Sequence, residues 1–416
     1  MNVYAVAAVW LAGGFAGTVL VRTLRLKLLA VVSPLTGAAG TVFAAVGPHS
    51  SPALASGMLS LDRAGQGLLV AAAGSFTLAI LLARRLDGSE AATCGLVGAA
   101  TVFALAASSP VLWAIVLLAG IGALAVRWIA VAPSRASLAA GRIPTAGAAA
   151  LLGAAPFLPV VGLITGPRPE IAAGLLAGGV VALLALVPLG GWATGVLASL
   201  RGIEMAPWLL FLAPAVLLIA ERVPAATTAA GDSFGKVLLS AGLASAVWGG
   251  LQGLMAEPRL RYGRLFLADL GLSAAAIGTD HPAPALAGGF LILLTHLTLA
   301  PVLLQRAGGA WEGSQRLAWI ALSGLPPAPS FWARFLLLQA LVQVGSLELL
   351  ASLLAFGLMF FVSVRGAFAP GPAGSERRQA LEPAQTLRQA LVWLAVGAAF
   401  AIGAAPGAAI SAVFGG

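Results

Sequence analysis

Four ionisable residues lie inside apolar runs or at their ends and could carry chemistry there: Arg334, His296, Asp269 and Glu221. A charge within an apolar membrane span is costly, so each is by default a candidate for a proton or ion path. Arg334 is effectively always charged and would hold a fixed positive charge, unless it only snorkels from a helix end. His296 stands mid-run, where an imidazole can relay protons near neutral pH or simply bond a neighbouring helix. Asp269 could pair with Arg334 or His296, or with Arg264 at the membrane surface, and the surface pair is the expectation. Glu221 adjoins Arg222 at the end of a short run, which fits interfacial anchoring better than a coupling role. No Ser/His/Asp array and no metal-ligand spacing occurs, and Gly249-Gly250 and Gly288-Gly289 sit in apolar runs as helix-packing positions rather than phosphate loops. No catalytic residue, cofactor or metal is implied.

The elements that must position these groups follow from composition. Of 416 residues 60% are hydrophobic and 9% charged, and the mean hydropathy is +1.00, far outside the range of soluble domains. The expected fold is an all-α polytopic membrane protein. At about 20 residues per spanning helix, the chain has room for about fourteen spans, in one membrane domain without a soluble one. The net charge of +9 resides largely in arginines of short loops, which fits positive-inside topology and not a nucleic-acid face. The one cysteine, Cys94, rules out an internal disulfide. The apolar run from Val3 lacks the basic n-region of a signal peptide and is taken as the first span.

In order, the expected spans are Val3–Val21, Leu28–Val46, Gln66–Ala83, Ala91–Ala107, Val111–Val126, Thr145–Ile164, Ile171–Leu189 and a shorter Pro207–Ala220. After these come Lys236–Met255, Leu265–Ile277, Ala285–Leu304, a broken span over Leu317–Val344, Leu347–Val364 and Ala390–Phe414. Basic residues cluster after odd-numbered spans: Arg22, Arg25 and Lys27 after the first, Arg84 and Arg85 after the third, and Arg259, Arg261 and Arg264 after the ninth. Both termini should therefore lie outside.

The broken span reads Leu-Ser-Gly-Leu-Pro-Pro-Ala-Pro-Ser-Phe-Trp-Ala-Arg-Phe from Leu322 to Phe335. Pro326, Pro327 and Pro329 remove backbone donors, and Gly324 loosens the turn before them. In lipid the freed carbonyls need partners inside the protein. Breaks of this kind line ion or substrate sites.

This stretch resembles the Gly-Leu-Pro-Pro…Gly-Phe-Trp-Gly-Lys-Phe signature of antiporter-like subunits in respiratory complex I, membrane-bound hydrogenases and Mrp cation/proton antiporters. Pro326, Pro327, Phe331, Trp332 and Phe335 fall in register, while Ser330 replaces a glycine and Arg334 the lysine. Gly57 to Asp62 is similar to the Leu-x-x-Asp before the third helix, and Pro188 to Trp192 to the Pro-Phe-His-x-Trp closing the seventh. The resemblance implies two inverted five-helix repeats, here 90–222 and 236–366, although no repeat is visible by eye.

It also implies an integral subunit of the bacterial inner membrane, non-catalytic itself, in a redox-driven proton-translocating complex that is NADH/quinone- or hydrogenase-linked. Other membrane-arm subunits would be its partners, with lipid around it and no nucleic acid. Several of the family's ionisable positions are changed. The helix-five glutamate falls on Leu118 or Ala119, the helix-seven lysine near Leu183, the closing histidine on Gly190, and the helix-eleven lysine on Ala300. The expected proton path is accordingly degenerate. The alternatives are an Mrp-type or standalone cation/proton transporter, and a purely structural bridging subunit.

Overall fold

The computed structural model describes residues 3–46, 59, 61–83, 88–107, 110–131, 169–194, 202–226, 231–279, 282–304, 312–369 and 383–414. In the first part of the chain the helices are α1 (Val3–Leu24), α2 (Val32–Val46), α3 (Arg63–Leu82), α4 (Ser89–Ala106), α5 (Pro110–Val131) and α6 (Pro169–Leu183). Next, α7 (Gly202–Pro207), a π-helical turn (Trp208–Leu212) and α8 (Ala213–Ala226) follow one another without a gap. The remainder are α9 (Gly231–Met255), α10 (Pro258–Ile277), α11 (Pro282–Leu303), α12 (Glu312–Ala321), α13 (Pro329–Leu341), α14 (Ser346–Ala367), α15 (Pro383–Ala404) and α16 (Pro406–Phe414). Among the described residues, ten helical stretches are long and apolar enough to cross a bilayer. The chain is thus a polytopic all-α membrane protein. Helices are the form in which an apolar run satisfies its own backbone in lipid. Their outer faces expose Phe15, Phe43, Val126, Leu350 and Phe361 to that lipid.

Several expected boundaries move. The eighth span is longer than Pro207–Ala220: helix begins at Gly202 and continues to Ala226, passing Pro207 and the π turn. The stretch from Ile203 to Ala220 is wholly buried. The tenth span starts at Pro258 instead of Leu265, because the proline occupies the first helical turn, where its missing N–H costs nothing. Arg259, Arg261 and Arg264 consequently belong to a helix and not to a loop. The last span divides at Ala405 into α15 and α16. The span expected over Thr145–Ile164 lies outside the described residues.

Close packing of α9 and α10 fixes the centre of the second half. Gly235, Gly242 and Gly249 recur every seventh residue on α9, one face of the helix, against Gly271, Gly278 and Ala268 of α10. A Cβ at Gly242 would lie 2.5 Å from the Ala275 amide nitrogen and 2.6 Å from the Gly271 carbonyl. The two backbones touch, as in small-residue membrane interfaces. α11 then joins the two parts of the chain through α3. There Pro301 cannot donate to the Leu297 carbonyl one turn back, and the Ser75 hydroxyl of α3 donates to that carbonyl instead.

Candidate functional site

Two helices break inside the protein, and different side chains satisfy each break. α6 ends at Leu183, and the chain turns through Ala185, whose φ is 55°. Indole groups take the freed carbonyls: Trp192 Nε1 donates to Ala182 at 2.9 Å and Trp208 Nε1 to Leu183 at 3.3 Å. The Val187 amide donates to Ser245 Oγ of α9 at 2.7 Å.

The second break separates α12 from α13 across the Leu-Ser-Gly-Leu-Pro-Pro-Ala stretch. Ser330 closes it, its hydroxyl donating to the Ala321 carbonyl at 2.6 Å while accepting the Gly324 amide at 3.1 Å. Ser363 of α14 donates to the Leu322 carbonyl at 3.1 Å. Gly324 has φ +81°, and a Cβ there would meet Arg334 Nη1 at 3.0 Å and the Phe356 ring at 3.1 Å. Glycine is required on both counts. Pro326, Pro327 and Pro329 all lie at this break, Pro329 opening α13. Its backbone also rests on Gly403 of α15, where a Cβ would collide with the Pro327 carbonyl.

Four residues beyond Ser330 on the same helix, Arg334 turns inward and is 0% exposed. Its fork engages Asp269 bidentately, Nε to Oδ1 at 2.9 Å and Nη2 to Oδ2 at 2.9 Å. Such paired, charge-assisted bonds are strong and orientation-specific. His296 Nε2 lies 3.0 Å from the same Oδ2, and Tyr262 Oη lies 3.2 Å from His296 Nδ1. One neutral tautomer satisfies both contacts, with Nε2–H donating to Asp269 and Nδ1 accepting from the tyrosine hydroxyl. Arg334, Asp269, His296 and Tyr262 thus form one buried array on α13, α10 and α11. Among the described residues Arg334 Nη1 has no hydrogen-bond partner, and the guanidinium carbon lies 5.7 Å from the Phe356 ring centroid.

The expected surface pair of Asp269 with Arg264 does not form. Asp269 is 0% exposed, and Arg264 donates to Gln252 of α9. The cause is the boundary at Pro258, which puts Asp269 in the twelfth position of α10 and deep in the bundle. Arg334 does not snorkel either. Glu221 falls on α8, with its side chain outside the described residues, so it is not placed with the other three.

Two buried carboxylates were passed over in the sequence. Glu90 and Glu204 are buried, and Arg127 Nη2 lies 3.7 Å from Glu90 Oε1. Glu90 opens α4 and Arg127 lies near the end of α5. Adjacent spans run antiparallel, so the start of one meets the end of the next, a signal that was available. Ser330 was noted only as a departure from glycine, and its role needs the fold.

A file of aromatic rings runs from the first half of the chain to the buried array. Trp128 and Trp192 have centroids 6.1 Å apart, Trp192 and Trp208 5.1 Å, Trp208 and Phe266 6.1 Å, and Phe266 and His296 5.0 Å. The file continues from His296 through Tyr262 to Trp319. The indole N–H of Trp128 donates to the Glu204 carbonyl at 2.9 Å, so all three tryptophan N–H groups before Phe266 are committed to backbone. Leu183 and Ala300 are buried, and Leu118 packs against the same core.

Tyr262→Phe leaves His296 Nδ1 without its donor. Leaving a buried acceptor unpaired costs about 1–3 kcal/mol, so thermal unfolding of the purified variant should begin several degrees lower. An unchanged melting curve would show that this bond contributes nothing.

No family model matches the chain and no curated protein matches it. Solved structures do. A chain of the Mrp complex from Dietzia sp. DQ12-45-1b superposes with a TM-score of 0.84 at 15% identity, over 99% of this chain and 52% of that one. The present chain therefore spans about half of that Mrp subunit. A chain of the membrane-bound sulfane sulfur reductase, an archaeal respiratory membrane complex, gives 0.84 at 15% identity over 99% and 96%. One from respiratory complex I of Thermus thermophilus gives 0.77 at 17% over 99% and 100%. The chain has the fold of antiporter-like membrane-arm subunits. It shares that fold, at low identity, with chains of an Mrp complex, a sulfane sulfur reductase and complex I.

Proposed function

We propose that the chain is an antiporter-like membrane subunit of a complex I-like, redox-driven proton-translocating complex. Its second half keeps a charge relay in altered form, and the path of its first half is degenerate. The buried Asp269–Arg334–His296 array at the α12–α13 break carries this reading, because ionisable groups so deep in a membrane bundle are costly and are functional sites by default. Arg334 acts as a fixed charge. Asp269 and His296 are the groups able to gain and lose a proton, with Tyr262 as the outward contact of the imidazole. The committed indoles and the leucine and alanine at the family's ionisable positions support loss of the first half-path.

Partners would be other membrane subunits, and the membrane the bacterial cytoplasmic one with both termini outside. Two repeats, 90–222 and 236–366, are supported by the break that each contains. Purification from the native host tests the assembly, since redox or hydrogenase subunits should co-elute. In sealed vesicles the chain alone should not dissipate an imposed proton or sodium gradient faster than empty vesicles. A protein-dependent flux from a functional homo-oligomer would replace this reading with a standalone transporter.

A further inference from the structure

We infer that the pocket where α9 turns into α10 binds the phosphate of an anionic phospholipid. The pocket has a volume of about 470 Å³ and is lined by Met255, Glu257, Arg261, Arg365 and Phe368 among others. It lies at one end of the bundle: α9 stops at Met255, α10 starts at Pro258 and α14 closes at Ala367. Arg261 precedes Asp269 by eight residues on α10, about 12 Å along the axis, which sets it near the headgroup boundary if Asp269 is close to mid-membrane.

Arg261 is built into this site rather than loose on the surface. It is 3% exposed. Nη1 donates to the Arg365 carbonyl and Nη2 to the Ala256 carbonyl, both at 3.2 Å. These bonds pin the guanidinium between the ends of α9 and α14 but leave its charge uncompensated. Among the described residues its buried Nε has no partner, and no carboxylate forms an ion pair with Arg261. Arg365, exposed on the same rim, adds a second cation. The first turn of α10 contributes the positive end of its dipole. A phosphate would meet two guanidiniums and an N–H that otherwise has nothing to bond.

The rim selects the source of that phosphate. Met255 is 80% and Phe368 72% exposed, both beside the arginines. Apolar side chains flanking a basic pocket suit acyl tails flanking a headgroup, and basic pockets between membrane helices bind anionic lipid in this way. Glu257 is the opposing group. Its carboxylate lines the pocket and should weaken anion binding. The inference is independent of whether the chain conducts protons.

The test is lipid titration of the purified full chain, read as thermal stabilisation, with phosphatidylglycerol, phosphatidylcholine and inorganic phosphate as the three probes. Phosphatidylglycerol should raise the melting temperature saturably, while phosphatidylcholine and inorganic phosphate should not. Arg365→Gln, which removes no side-chain bond among the described residues, should raise the half-saturating phosphatidylglycerol concentration at least tenfold. Adding Arg261→Gln should abolish the response, and Glu257→Gln should lower half-saturation severalfold. Equal stabilisation by phosphatidylcholine, or an unchanged titration in Arg365→Gln, would overturn the site. Saturation by inorganic phosphate alone would overturn the lipid as its source.

Discussion

Arg334→Ala should reduce the yield of folded, monodisperse protein more than any other single substitution at the site. Asp269 is fully buried and receives both of its strong bonds from the Arg334 fork. Truncating one member of a buried pair costs about 3–5 kcal/mol, because the other charge is left uncompensated. Total stabilities are commonly about 5–15 kcal/mol. Arg334→Lys keeps the charge but offers a point donor where the carboxylate expects a planar fork. It should retain assembly with a smaller loss. The double variant Asp269→Leu/Arg334→Met removes both charges and should be less destabilised than Arg334→Ala alone. Thermal unfolding of the wild type, Asp269→Leu, Arg334→Met and the double variant forms a cycle. Wild-type stability in Arg334→Ala, or additive losses in the double variant, would dissolve the pair.

The second large effect is expected far from any charge. Gly242→Leu would drive a side chain into the Ala275 amide and Gly271 carbonyl of α10, and backbone cannot yield as a side-chain tip does. Overpacking typically costs about 1–3 kcal/mol, and this position should reach or exceed the upper end. Gly271 follows Asp269 by two residues, so separating the helices also displaces the carboxylate from Arg334. Coupling between Asp269 and Arg334 should therefore fall in the Gly242→Leu background. Gly357→Leu on α14, where nothing lies within 4 Å, is the control and should cost little. Similar melting temperatures for the two variants would show that the close approach of α9 and α10 is not needed.

Most helices were legible because an apolar run of spanning length has little alternative to helix in lipid. The break was legible too, since Pro326, Pro327 and Pro329 leave carbonyls without donors. What closes it was not, because Ser330 and Ser363 reach carbonyls that only folding brings near. Asp269 was assigned to the surface for a local reason. Three arginines precede it, and basic clusters ordinarily mark loops. The contrary signal was Pro258, well placed to start a helix, which turns those arginines into part of a buried rod. The antiparallel meeting of Glu90 and Arg127 could have been read, but the aromatic file could not, since its rings come from six separate segments of chain.

That file has an electrical consequence. From Trp128 to Phe266 the file itself carries no free proton donor or acceptor, since its three indole N–H groups are already engaged. It is not a screen for fields. Two unit charges separated by dry protein interact far more strongly than the same charges in water, by up to about twenty-fold in the limiting case. The interior therefore behaves like the filling of a capacitor. A change of charge at the Glu90–Arg127 pair on one plate would be felt at the Asp269 array on the other through the field alone.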